Sequence, residues 1–223
     1  MAGGSTSAGS TAALEQLCRA YWYPLYSFAR GRGLSPHDAE DLIQSFFAFL
    51  LEKDVIARAD RERGRFRTFL LSALQNFHAN ERARAGSLKR GGGHALVSFD
   101  ELQAETRYQG EPATTLSPER LFDQKWATSL LEQVLQILRR EYVAAGKGPL
   151  FDALRDLLWG GRGEVSYEVL ARKLGTTEGA IKVGMHRLRL RFKECLHDEV
   201  AHTVASPGEV DDELRHLLAS LTV

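Results

Sequence analysis

Apolar side chains in this chain recur at three- and four-residue spacing almost throughout, and the two-residue alternation of a strand is nearly absent. In "LFDQKWATSLLEQVLQILRREYVAAGKG", Leu121, Trp126, Leu130, Leu131, Val134, Leu135 and Leu138 fall on or near one stripe of a long amphipathic helix. A helix over Leu14 to Gly31 is crowded with Tyr21, Trp22, Tyr23, Tyr26 and Phe28. The next opens at Ser35-Pro36 with Asp38 at the capping-box position, after Gly33 has closed its predecessor. A third, from Phe66, is entered through the loop "RADRERGR". These patterns predict an all-α fold in which helices bury their stripes against one another.

Punctuation divides the chain. Residues 1–12, "MAGGSTSAGSTA", lack the charged start and apolar stretch of a signal peptide and read as a disordered tail. A compact helical domain follows over 13–90, then a linker over 91–117 rich in Gly, Pro, Thr and acids. A second helical domain covers 118–197, and an acidic extension with a Ser-Pro helix start covers 198–223. In that extension Val210, Leu214, Leu217, Leu218 and Leu221 are expected to form an apolar face. It would pack on the second domain or cover its basic helix, plain packing being the preferred reading. No internal repeat occurs.

The charge balance is zero overall but uneven. From Arg58 to Arg90 there are nine Lys/Arg against three Asp/Glu, and from Val165 to His197 seven against three. From Asp198 onward six acids face one Arg. Two basic islands and an acidic tail suggest two contacts with a polyanion. No run is apolar enough for a membrane span. Cys18 and Cys195 form no paired motif, which fits a reducing cytoplasm.

"VSYEVLARKLGTTEGAIKVGMHRLRLRFKECL" is the sharpest local signal. Ser166 caps a short helix ending at Leu174, Gly175 stops it, and Thr177 caps the next. Val169, Leu170, Leu174, Ile181, Met185 and Leu188 would lock the two helices together as a helix-turn-helix, whose second helix enters a major groove. That helix offers Lys182, Val183, His186, Arg187 and Arg189 outward, suited to phosphates and base edges. Thr177 and Glu178, which open it, complete the candidate major-groove set. The bland alternative is a basic, solvated helix of an ordinary bundle.

"DAEDLIQSFFAFLLEKD" followed by "FRTFLLSALQNF" resembles the promoter-melting domain of bacterial sigma factors, and the helix-turn-helix resembles their upstream-element reader. In length and order the chain resembles the extracytoplasmic-function (ECF) group of the sigma-70 family. The resemblance implies a transcription initiation factor whose partners are the RNA polymerase core enzyme and promoter DNA. It makes 13–90 the domain that binds polymerase and melts the minus-ten element, and 118–197 the minus-35 reader. Asp38, Glu40, Asp41 and Gln44 would then face polymerase, although acids at a helix start are also ordinary dipole partners. Arg63, Arg65, Phe66, Arg67, Asn76 and Asn80 would meet single-stranded DNA, the loop Asp60 to Arg67 holding a flipped base. For Phe66 a core role and a stacking role both stand.

Ser45 occupies a position where many relatives carry an acid. Its phosphorylation would restore that charge, which raises control by a Ser/Thr kinase; a tolerated polar residue is the preferred reading. An anti-sigma factor is the other candidate regulator. Cys195, His197 and His202 lie near one another but lack the paired spacing of a zinc site, so no metal is expected. No catalytic order of residues and no phosphate-binding loop occurs, "RGGGHAL" lacking the Gly-Lys-Ser/Thr ending, and neither an enzyme nor a cofactor is expected. Two other readings remain open. A stand-alone helix-turn-helix regulator leaves the first basic island without a purpose, and a helical interaction module leaves the capped basic helix unexplained.

Overall fold

The computed structural model describes residues 20–52, 65–85, 101–111, 115–159, 166–204 and 206–222. Every regular element among them is helical: α1 (20–31), α2 (Pro36–Glu52), α3 (Phe66–Ala85), α4 (Glu101–Gly110), α5 (Pro118–Ala144), α6 (Gly148–Leu154), α7 (Tyr167–Lys173), α8 (Glu178–Ala201) and α9 (Val210–Leu221). Short 3-10 turns, Arg155–Trp159 and Pro207–Glu209, extend α6 and lead into α9. The all-α class follows directly. No helix among the described residues is long and apolar enough to cross a membrane.

The helices form two compact units. One comprises the described residues up to Ser129 together with those from Thr203 onward; the other is Leu130–His202. The division falls inside α5, which gives its early turns to one unit and its later turns to the other.

In the first unit, α1 ends in a Schellman turn. Gly33, at φ +86°, lets its N–H reach Arg30 O (2.9 Å) and the N–H of Leu34 reach Ala29 O (3.3 Å). The Ser35 Oγ then accepts from the Asp38 N–H and donates to the Asp38 carboxylate, which starts α2 as the sequence suggests. Rings join these helices: Trp22 stacks on Phe47, and Phe77 of α3 meets Phe46 and Phe49. Tyr26, Leu25, Ile43, Phe46, Leu70, Leu74, Phe122 and Trp126 are almost wholly buried.

Two features of this unit correct the sequence reading. The segment expected to be a linker contains α4, and α4 is docked. Its Glu105 carboxylate receives both Nε and an Nη of Arg30 at 3.1 Å and the Tyr26 hydroxyl, while Arg107 lies over the Tyr23 ring at 3.9 Å. With Gln109 Nε2 at 2.9 Å, this one acid satisfies four donors, a use of Glu105 that apolar periodicity cannot reveal. The acidic extension is divided: residues 198–202 finish α8 and its cap in the helix-turn-helix unit, and those from Thr203 onward belong to the first unit. Helix α9 belongs to the first unit, with Val210, Glu213 and Leu217 buried and Leu218 turned to solvent.

The second unit has one apolar cluster: Val134 and Leu138 of α5, Phe151 and Leu154 of α6, Leu170 and Ala171 of α7, and Ile181, Met185, Leu188 and Cys195 of α8. Gly184 of α8 lies against Leu154 and Leu150 of α6, with room for a Cβ at ordinary contact distances of 3.4 and 3.6 Å.

Candidate nucleic-acid interface

Local hydrogen bonding builds the α7–turn–α8 segment of the second unit. The Ser166 Oγ accepts from the Val169 N–H (3.3 Å) and the Thr177 Oγ1 from the Ala180 N–H (3.2 Å), so each helix has its own N-cap. Between them Gly175, at φ +63°, closes a second Schellman turn, with Gly175 N–H to Arg172 O and Thr176 N–H to Ala171 O. This is the geometry the sequence implied, with one exception. Val169, expected among the locking contacts, is half exposed; Ala171 joins the expected Leu170 in the interface instead.

With Ile181, Met185 and Leu188 turned inward, helical spacing drives the remaining positions outward. Thr177, Glu178, Lys182, Val183, His186, Arg187 and Arg189 are all exposed, so every candidate major-groove residue stands on the solvent side of α8. Glu178 holds the Lys182 ammonium at 2.7 Å, one turn away, and this hydrogen bond raises the lysine's pKa. An Arg189 nitrogen donates to the Leu157 carbonyl at 3.4 Å. Further along, Arg191 is clasped by Glu141 (3.1 and 2.7 Å) and Glu194, and its hydrogen bonds hold the Glu141 carboxyl below the usual range. The outward basic surface of α8 is therefore led by Lys182, His186, Arg187 and Arg189, while Arg191 serves the unit's own structure.

In the first unit the candidate residues have more varied surroundings. Asn76 and Asn80 lie exposed, one turn apart on α3. Arg63 lies outside the described residues, as does most of the loop Asp60 to Arg67. Phe66 is half buried, edge-on to Tyr21 at 5.6 Å and beside Phe69 at 6.0 Å. Arg67 departs from expectation: only 3 % of its side chain is exposed. Its Nε stands 2.9 Å from Glu213, an Nη donates to Asp123 at 3.1 Å, and the guanidinium lies over Trp126 at 4.8 Å. Arg65 joins from the solvent side, its Nε 2.8 Å from the other Glu213 oxygen. As the chain is folded here, Arg67 is an internal partner of α9, not an open nucleic-acid ligand.

Burial raises the pKa of the Glu213 carboxyl against the pull of Arg67 and Arg65, and burial lowers that of Arg67. The contacts are short, yet neither Glu213 oxygen nor Arg67 Nε lies in an aligned hydrogen bond. The same holds for the Tyr21 hydroxyl, Trp126 Nε1 and His216 Nε2, which lies 3.5 Å from Asp123. Sequence reasoning missed Glu213, Asp123 and Trp126 as parts of this cluster. A signal was present: Val210, Glu213 and Leu217 are spaced by three and four, so the acid sits on the buried stripe of α9.

The proposed polymerase-facing residues lie along α2. Asp38 and Asp41 are exposed, and Glu40, Gln44 and Ser45 are half buried. Asp38 is held by Ser35, and Asp41 lies 3.5 Å from His37. Cys195 is buried, whereas His197 and His202 are exposed, and no group of three or more His, Cys, Asp or Glu placed to hold a metal occurs among the described residues. No protein-family model matches this chain, nor does any curated protein or solved structure.

Proposed function

We propose that the chain is a transcription initiation factor of the ECF sigma type, in which the second unit reads an upstream promoter element in the major groove. The first unit would engage core polymerase through α2 and the melted strand through α3. The carrying observation is the doubly capped α7–turn–α8 segment, which exposes Lys182, Val183, His186, Arg187 and Arg189 on one helix. A second support is that the same chain carries an acid-rimmed α2 beside an arginine-led α3. Transcription from a promoter library with core polymerase tests this. The reading requires initiation on duplex templates that core enzyme alone ignores.

A stand-alone helix-turn-helix regulator is the second reading, and the burial of Arg67 favours it, because that member of the first basic island is engaged within the fold. Such a protein would bind duplex DNA without polymerase and would leave promoter opening unchanged. The same library, assayed with and without core enzyme, separates the two.

A further inference from the structure

We propose that α9 is an internal competitor for nucleic acid: its Glu213 carboxylate occupies, at Arg65 and Arg67, a seat for a strand phosphate, and α9 leaves when single-stranded DNA arrives. This rests on the reading that the start of α3 meets nucleic acid, and it adds how that site is regulated.

Two guanidinium groups converge on one carboxylate, at 2.8 and 2.9 Å, the donor arrangement that suits a phosphate. A leucine at position 213 would continue the Val210–Leu217 stripe and pack permanently; the acid there makes docking depend on charge. That docking is imperfect, since both carboxylate oxygens lack an aligned donor in a buried setting. Asp211 and Asp212 stand exposed on the same first turn, Asp212 paired with Arg215, so Glu213 is the acid of that turn that faces the arginines. Asp123 and His216 also face the cluster, and Asp123 keeps one Arg67 Nη engaged when Glu213 departs. Tethering keeps α9 at a high local concentration, so it suppresses weak binding while yielding to a strand that makes several contacts.

The test uses the full chain and an oligothymidylate at low salt, followed by amide hydrogen exchange. Binding is expected to accelerate exchange over α9 while α1 and α2 stay protected. Unchanged α9 protection in the saturated complex overturns the proposal, as does the absence of binding to both wild type and Glu213→Lys. Glu213→Lys sets like charges together and expels α9. It is expected to tighten oligothymidylate binding by about tenfold and to steepen the salt dependence by roughly 0.7 per phosphate gained. Asp211→Lys makes the same charge change on an exposed position and controls for added charge. Equal tightening by the two variants also overturns the proposal. The transcription assay is independent. Release of α9 without polymerase-dependent initiation would leave the competitor standing and remove the sigma reading, and the converse result would do the opposite.

Discussion

Arg67 Nε and a Glu213 carboxylate oxygen meet at 2.9 Å with 3 % and 1 % of the two side chains exposed, which joins the start of α3 to α9 through a buried charge pair. Arg65 and Asp123 complete a cluster of two cations and two anions, so no net charge is interred. Taking such groups from water costs several kcal/mol per ion, and attraction returns that only when the geometry is good. Here the alignment is incomplete. The cluster therefore specifies where α9 sits more than it stabilises the unit.

That balance sets the first prediction. Arg67→Ala leaves Glu213 buried with one exposed partner, and is expected to destabilise the first unit by about 3–5 kcal/mol. Arg67→Met combined with Glu213→Leu replaces the pair by apolar packing and is expected to be near neutral, or more stable by about 1–4 kcal/mol. Urea unfolding followed by tryptophan emission, sensitive to Trp126, measures both. A double variant no more stable than Arg67→Ala would mean that the charges themselves hold α9.

Two carboxylates, the half-buried Glu105 and the buried Glu213, should respond to acid in opposite senses. Burial alone would raise Glu105, but hydrogen bonds from Tyr26, Gln109 and Arg30 bring its pKa below the ordinary 4.5. A carboxyl lowered in this way stabilises docking of α4 above its unfolded pKa, and that contribution is lost as pH falls through the lowered value. Glu213 is raised by burial despite Arg67, Arg65 and His216, with Asp123 adding to the rise. Its contribution is present below 4.5 and is lost as pH rises through the raised value. Acidification from neutrality should thus tighten α9 first and loosen α4 only below the usual carboxylate range. Amide exchange across α4 and α9 at stepped pH reads both. Glu213→Gln should abolish the α9 response and spare that of α4.

The helix-turn-helix was legible because everything that makes it is local. Caps at Ser166 and Thr177, a glycine at Gly175 and apolar spacing in α8 all act within a few residues, and each leaves its mark in the sequence. The α9 cluster was not legible because Arg67, Asp123 and Glu213 come from three helices far apart in the chain. An arginine destined for burial looks the same in sequence as one destined for solvent. The same applies to α4, whose docking depends on Tyr26 and Arg30 from α1. Val169 and Leu218 were misread for a related reason: spacing places a residue near an apolar stripe without saying where the partner helix ends.

On α2, Asp41 is exposed and Ser45 half buried one turn further on. If this face meets core polymerase, Asp41→Lys should slow association by an amount on the order of tenfold at low ionic strength, the effect shrinking as salt screens it. Surface-immobilised core enzyme measures this directly. Ser45→Glu should exceed Ser45→Ala in promoter-specific transcription if a phosphate at that position restores the acid rim. Equal activity of the two removes Ser45 from regulation and leaves it a tolerated polar residue.

The outward face of α8 separates recognition from stability. Thr177→Ala removes the hydroxyl that accepts from Ala180 N–H and touches nothing else assigned to structure, so it should cost about 1 kcal/mol in unfolding. Gly175→Ala forces a side chain onto φ +63° and should cost about 1–2 kcal/mol. Gly175→Ala alters none of the candidate groove residues, so its duplex affinity per folded molecule should equal that of the wild type, and a further loss with Thr177→Ala would report a contact of that hydroxyl with DNA. Arg187→Ala is the converse. Its side chain is exposed, so stability should stay within about 0.5 kcal/mol of wild type. Duplex binding should fall, and the outcome identifies the contact. A phosphate contact lowers affinity uniformly across sequences and reduces the salt slope by about 0.9. A base contact costs about 1–3 kcal/mol on the preferred sequence and relaxes selection at one position. Fluorescence anisotropy over a salt series, on the selected promoter and a scrambled duplex, distinguishes these. An unaltered affinity on both duplexes would take Arg187 off the interface and leave Lys182, His186 and Arg189 to carry it.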